Sequence, residues 1–372
     1  MKIKLKTGNL NIDYPQELEE LVSFGSRINK KRGFLFVSKV LGKHLPTKPS
    51  IMKNIYKKLA NDIKLKLSDK PTLVIGFAET ATALGHGVYD SLRNDFNVTN
   101  SFYIHSTRFN TDEKVFFKFF EEHCHAPSHI FYMPKDKDLR DLLESVENVV
   151  LVDDEVSTGN TANNLVNELK KVLPNAKNYY LSTILNWAEK KYDNFEYLSL
   201  YQGDFSFEWD YNHKIENNIV SEAVEDIKLD KIIPYNFGRY GVQNLDINFS
   251  NLVDIDNFKD KKVLVLGTAE FMYPPYLLAL YLEKAGVESY FQATTRSPVN
   301  VDGAISSKVA FKDNYFEDID NFLYNVTDRE YDKILICYET TSLPTNFKLK
   351  EILESKSFDV SEIFMSDLNI NG

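Results

Sequence analysis

Within residues 149 to 161, VVLVDDEVSTGNT, side-chain type and spacing point to one chemistry. Asp153 and Asp154 are adjacent carboxylates, able to accept hydrogen bonds from vicinal hydroxyls such as those of a ribose. Ser157, Thr158, Gly159, Asn160 and Thr161 follow as a run of small and polar residues. Such a run lets successive backbone N–H groups converge on one phosphate, and a helix opening there favours the anion's charge. Acid pair and loop together make a site for a sugar phosphate.

The elements that must position these groups can be read around them. Val149 to Val152 reads as a buried strand, and Leu165, Leu169 and Val172 mark one face of a following helix. Upstream, LVIGF (73 to 77) is strand-like, and the residues after Thr82 look helical. FYIH (102 to 105) is the next strand, ending just before Arg108. Residues 106 to 136 are polar with little periodicity, as in a functional flap. They contain EEHCHAPSH, in which His123, His125 and His129 beside Glu121 and Glu122 allow either a metal site or flap residues. A short helix (138 to 147), a strand at YYLSTIL and a hairpin at YLSLYQGDFSFEWD, turning at Gln202 and Gly203, complete the first pattern. Strands alternating with helices predict a mainly parallel sheet with helices on both faces. An acidic, polar stretch near 214 to 232 marks a boundary, after which VLVLG, SYFQ and ILICY signal a second α/β pattern. Pro274 and Pro275 suit the first turn of its helix.

The two patterns echo each other in order and at nearly constant offset. LVIGFAE (73 to 79) parallels LVLGTAE (264 to 270), and SFYIHSTR (101 to 108) parallels SYFQATTR (289 to 296). VVLVDDEVST (149 to 158) parallels KILICYETTS (333 to 342). The second half therefore reads as a diverged copy, and different strand orders in the two sheets would defeat that reading. Cys337 and Tyr338 stand at the positions of Asp153 and Asp154, and Leu343 at that of Gly159. Only the first copy keeps the sugar phosphate residues.

VVLVDDEVSTGNT closely resembles the motif by which type I phosphoribosyltransferases bind phosphoribosyl pyrophosphate (PRPP). The resemblance implies a Rossmann-like α/β core using PRPP with Mg²⁺. It implies that Asp153 and Asp154 hold the ribose hydroxyls and, largely through PRPP, the metal. Residues 157 to 161 would hold the 5′-phosphate. The loop at Ala78, Glu79 and Thr80, with Arg108, would receive pyrophosphate, and the histidine-bearing flap would close over it. Glu79 is unusual beside an anion; it is expected either in the metal shell or on a cationic substrate group, or simply in a helix cap formed by Thr80 or Thr82. Residues 1 to 70 would form the hood that decides the acceptor, with Arg27, Arg32, Lys39, Lys43 and His44 as its cations, or else an amphipathic surface helix. Purine salvage enzymes carry an acid at the position of Ser157, so an orotate-like or unusual acceptor is expected.

A narrower resemblance rests on TTRSPV, GTAEFMYPP, RGFLFVSKVLGKHLP and FEEHCHAPSH. These resemble the phosphoribosyltransferase-like proteins of bacterial tellurium-resistance gene clusters, in which an orotate-phosphoribosyltransferase-like domain precedes a TRSP domain. The implied domains are a hood (1–70), a core (71–215), a linker (216–235) and a TRSP domain (236–372). The implied activity transfers 5-phosphoribosyl from PRPP to an acceptor left open, or runs in reverse with pyrophosphate, in a stress-linked nucleoside-type pathway. The alternative is a non-catalytic regulator sensing PRPP or a nucleotide. Glu270, Arg296, Ser297 and Glu339 fall at loop ends of the second pattern, as a second ligand site or as structural pairs of Arg296 with Glu270 or Glu339. Arg239 is a further candidate near the junction.

Composition sets the outer bounds. The chain has 372 residues, 43% of them hydrophobic, enough for two domains. A net charge of −10 argues against a nucleic-acid-binding face but allows a local basic pocket. No apolar run reaches the ~20 residues of a membrane span. MKIKLKTGNL lacks the apolar stretch of a secretory signal, so a cytoplasmic location is expected, with Cys124 and Cys337 as free thiols. Homo-oligomerisation remains open at this stage.

Overall fold

The computed structural model describes residues 1–27, 32–120, 128–210, 231–233 and 235–368. Its N-terminal residues form antiparallel pairs, β1 (Lys2–Leu5) with β2 (Gly8–Asp13) and β3 (Val22–Ser26) with β4 (Phe34–Ser38). A Lys-rich helix follows as α1 (Pro49–Lys64), burying Met52, Ile55, Tyr56, Leu59 and Ile63 on one face. The basic, aromatic hood segment is thus strand over part of its length, because Phe34 and Phe36 alternate inward toward Trp187 and Phe205.

The first α/β unit runs through β5 (Thr72–Gly76), α2 (Ala81–Asn94) and β6 (Ser101–His105). The flap contains β7 (Val115–Phe120) and β8 (Ser128–Tyr132), paired antiparallel. Then come α3 (Lys137–Glu144), β9 (Asn148–Val156), α4 (Asn160–Val172), β10 (Asn178–Asn186) and β11 (Glu196–Gln202). Five strands form one parallel sheet in the order β6-β5-β9-β10-β11. Its central strands carry the apolar runs Leu73–Ile75 and Val149–Val152, buried because both faces are covered. Val74 and Tyr103 face α2, whereas Leu73, Ile75, Phe102 and Ile104 face α3, α4 and the flap strands. The expected hairpin at Gln202–Gly203 does not form. β11 pairs with β10, while β12 (Asp204–Trp209) pairs with β2 in another sheet. Gly203 is where the chain changes sheets, drawn across because Phe205 and Phe207 pack on Phe34.

The expected linker lies mostly outside the described residues. The second unit comprises β13 (Lys262–Gly267), α5 (Tyr273–Lys284), β14 (Glu288–Ala293), β15 (Lys308–Lys312), β16 (Asp320–Tyr324), β17 (Lys333–Tyr338), α6 (Leu349–Glu354) and β18 (Val360–Phe364). Pro274 and Pro275 sit in the first turn of α5, where a missing N–H costs nothing. The parallel sheet is ordered β14-β13-β17-β18. Counting only the strands within each sheet, the first reads 2-1-3-4-5 and the second 2-1-3-4, so the four strands they share keep one order and the duplication reading survives its topological test. One apolar core joins the units, with Tyr56 of α1 packed edge-on against Tyr276 of α5.

Candidate active site

Gly76 of β5 lies opposite Val152 of β9, and the strand order reverses between these two strands. Open α/β sheets bind ligands in the crevice at that point, beyond the carboxyl ends of the strands. Both loops singled out in the sequence leave the sheet there.

Asp153 and Asp154 lie in the last part of β9, partly exposed beyond its buried apolar run. The Asp154 N–H donates to Asp153 Oδ1 at 3.0 Å. Burial, reinforced by the charge of Glu155, pushes the Asp154 carboxyl up to about 6. Arg32, from the hood segment, reaches in to pair with Glu155 at 2.8 Å, its guanidinium 4.8 Å from the Phe34 ring centre. Gly159 has φ 78° and is the N-cap of α4. That left-handed turn swings the chain directly into the helix at Asn160, whose N–H donates to Thr158 Oγ1 at 3.3 Å, while Gly159 itself brings no capping side chain. The positive end of α4 therefore opens onto Ser157, Thr158 and Thr161.

On the neighbouring loop, the Ala78 N–H donates to Ser106 Oγ at 2.9 Å, and the Ala78–Glu79 peptide is cis. Arg108 Nη2 reaches the Ala78 carbonyl at 3.5 Å, so the predicted arginine and loop do come together. Glu79 forms an ion pair with Lys43 Nζ at 2.5 Å. Burial raises the Glu79 carboxyl, but Lys43 and Arg296 outweigh it and hold the group below its ordinary range. Thr80 occupies the N-cap of α2 without a side-chain capping bond, whereas Thr82 Oγ1 donates to the carbonyls of Glu79 and Glu270. Of the flap histidines, His129 is buried with Nδ1 2.8 Å from Ser106 Oγ, stacked on Phe119. His123 and His125 lie outside the described residues. Among the described residues no three His, Cys, Asp or Glu side chains gather as a metal set.

The second-unit candidates are also brought together, but in contact with protein groups. Glu270 is buried and accepts from Thr107 Oγ1 at 2.9 Å and the Arg108 N–H at 3.1 Å. Glu339 is buried in a two-bond pair with Arg239, at 2.5 and 3.0 Å. Arg296 pairs at 2.6 Å with Glu317, neither of the partners foreseen for it, and lies over the Phe109 ring. Ser297 is half-buried, its carbonyl taken by the Tyr324 hydroxyl. The sequence reading missed Glu155, Ser106, Thr107 and Glu317 as partners. Ser106 and Thr107 stand inside an echoed segment and could have been found there, whereas Glu317 belongs to no recurring pattern.

Two family models match, phosphoribosyl transferase over residues 21–203 and the TRSP domain C-terminal to it over 238–355. The chain belongs to this two-domain family. In fold it is similar to several phosphoribosyltransferases. The adenine phosphoribosyltransferase of Thermoanaerobacter pseudethanolicus is 15% identical, covers 50% of this chain and 96% of its own, and gives a TM-score of 0.34. That of Trypanosoma brucei, solved with AMP, pyrophosphate and ribose-5-phosphate, is 16% identical over 50% of this chain and 77% of its own, with a TM-score of 0.33. The Helicobacter pylori xanthine-guanine-hypoxanthine enzyme is 15% identical over 40% and 82%, with a TM-score of 0.26. A comparison with curated proteins finds no match. No described helix is long and apolar enough to cross a membrane.

Proposed function

We propose that this phosphoribosyltransferase-family protein transfers the 5-phosphoribosyl group of PRPP to a small nucleophile, in the stress-linked, nucleoside-type setting that its sequence resembles. The observation that carries this reading is the junction of Asp153 and Asp154 with the Gly159 turn and the start of α4. The helix end and residues 157 to 161 anchor the 5′-phosphate. Asp153 and Asp154 accept hydrogen bonds from the 2′ and 3′ hydroxyls and offset positive charge developing at the anomeric carbon. Ala78, Glu79, Thr80 and Arg108 border the leaving pyrophosphate, with Arg108 supplying a permanent charge. As the C1–O bond to pyrophosphate breaks, the acceptor's lone pair forms the new bond to C1.

The donor set suits Mg²⁺, which binds through one or two carboxylates together with substrate phosphates. Asp153 and Asp154 would hold it, and it would supply neutralising charge to the pyrophosphate. Ser157 cannot take a proton from a purine at neutral pH, which favours an orotate-like or unusual acceptor. Incubation with PRPP, Mg²⁺ and a metabolite extract should release pyrophosphate in an acceptor-dependent way. Tight PRPP binding without release would assign the protein a sensing role instead, and no PRPP binding would overturn both.

A further inference from the structure

The two halves meet through a reciprocal exchange of backbone. Edge strand β6 is covered by the segment preceding the second unit, and edge strand β14 by the segment preceding the first. Tyr103 exchanges hydrogen bonds with Val242 at 2.9 and 2.8 Å, and the His105 N–H donates to Gly238 O at 3.2 Å. At the matching positions Phe291 exchanges bonds with Thr47 at 2.9 and 3.0 Å, and the Ala293 N–H donates to Gly42 O at 2.7 Å. Gly42-Lys43 and Gly238-Arg239 are thus equivalent dipeptides, each lent to the other half. Both glycines have positive φ, and a Cβ on either would strike the aromatic ring of the edge strand it covers.

The loops beyond those strands bring the second half against the pyrophosphate side of the first. Within each half a hydroxyl anchors the glutamate loop: the Ala78 N–H donates to Ser106 Oγ and the Ala269 N–H to Thr294 Oγ1, both at 2.9 Å. Lys43 Nζ, paired with Glu79, also donates to the carbonyls of Ala269 and Thr294 at 3.0 and 2.7 Å. Glu270, the echo of Glu79, reaches furthest. Its carbonyl accepts from Thr82 Oγ1 at 2.9 Å. Its carboxylate Oε1 accepts from Thr107 Oγ1 at 2.9 Å and from the Arg108 N–H at 3.1 Å. Oε2 has no hydrogen-bond partner among the described residues. A buried carboxylate therefore closes on the turn that follows β6, through hydrogen bonds strengthened by its charge. From that turn the Arg108 side chain extends to the Ala78 carbonyl.

We propose that Glu270 is a positioning residue for pyrophosphate binding: by holding Thr107 and the Arg108 backbone, it aims the Arg108 guanidinium at the loop of Ala78, Glu79 and Thr80. Glu270 acts through Arg108 rather than on PRPP itself. The inference rests on the proposed PRPP site, and its test separates the two.

Calorimetry on the full-length chain with Mg²⁺ compares PRPP, pyrophosphate and ribose 5-phosphate. Glu270→Met keeps the bulk of the side chain and removes its bonds to the turn. It should weaken PRPP and pyrophosphate by about tenfold, the scale of losing a hydrogen bond to a charged group. Ribose 5-phosphate, which does not reach Arg108, should bind as before. Glu270→Gln should bind all three nearly as the wild type does, because its amide oxygen can take the place of Oε1 and its nitrogen that of the unbonded Oε2. Thr107→Val removes one of the bonds with Glu270 in place. It should show the same pattern at smaller size, and it replaces the methionine variant if that fails to fold. Wild-type protein that binds no PRPP removes the functional reading, and this inference with it. Where the wild type binds, unchanged pyrophosphate affinity in the folded variant, an equal loss for ribose 5-phosphate, or a glutamine variant as weak as the methionine one overturns this inference alone.

Discussion

At Asp153 and Asp154 the first half presents two carboxylates at the rim of its sheet. At the matching positions the second half buries Cys337 and Tyr338, the latter bonded to Glu362 at 3.0 Å. The next turns differ in the same direction. Gly159 takes the chain straight into a 13-residue helix, whereas the segment after Leu343 reaches a helix only at Leu349, and that helix has 6 residues. Strand order and loop anchoring are common to both halves, whereas the acids and the glycine turn belong to the first alone. A fold can keep its frame while losing a site, since the frame depends on buried strands and the site on a few residues at their ends.

The comparison breaks first at the acids. Asp153→Asn with Asp154→Asn should lower turnover by about three orders of magnitude, the scale of losing charge stabilisation in a transition state. Tyr338→Phe in the other half should leave turnover within about twofold. Steady-state pyrophosphate release measures both, and equal losses would mean that the second crevice takes part in the reaction.

Lys43 and Arg239 test the exchange itself. Each is a buried cation lent to the opposite half, pairing with Glu79 and Glu339. Lys43→Met leaves the half-buried Glu79 and Arg239→Met the buried Glu339 without its cation, at a cost of up to about 3–5 kcal/mol. Urea unfolding should show comparable losses for the two variants, and adding Glu79→Gln to Lys43→Met should recover most of its loss. A loss confined to one variant would show that the exchange is not reciprocal in energy.

Gly159→Ala probes the turn. A left-handed φ costs a non-glycine residue roughly 1–2 kcal/mol, and the new Cβ would lie 2.8 Å from the Tyr197 hydroxyl. Ribose 5-phosphate affinity should fall with stability. Leu343→Gly in the second half should create no phosphate binding, because no helix start waits behind it. Binding gained there would contradict the view that helix and turn act together.

The sugar phosphate loop was legible because all its parts are consecutive, so strand, acids, turn and helix could be read in one pass. The parallel sheet was legible from the uninterrupted apolar strands. The supposed hairpin at Gly203 was misread because a glycine between two strands signals a turn, whereas the choice of sheet was made by Phe34, far away in sequence. The partner of Glu79 was hidden for a related reason. Lys43, its ion-pair partner, comes from a segment distant in sequence, and no local spacing ties the two.

The smallest expected effect concerns Asp154 alone. Its carboxyl titrates at about 6 in the folded protein, above the roughly 3.9 of an unfolded chain. The folded state therefore holds this proton more tightly, and above pH 6 the ionised group, crowded by burial and by Glu155, destabilises the fold. Asp154→Asn removes that charge and should stabilise the protein on the order of 1 kcal/mol at pH 8, discounted for partial exposure. The gain should shrink as pH falls from about 6 to about 4, where the wild-type group is neutral in both states. Tyr338 carries no such charge, so Tyr338→Phe should give a stability change flat over the same range. Thermal unfolding across pH 4 to 8 compares the two. A pH-independent gain for Asp154→Asn would mean that the site does not strain this carboxylate, leaving the first half no less relaxed at its rim than the second.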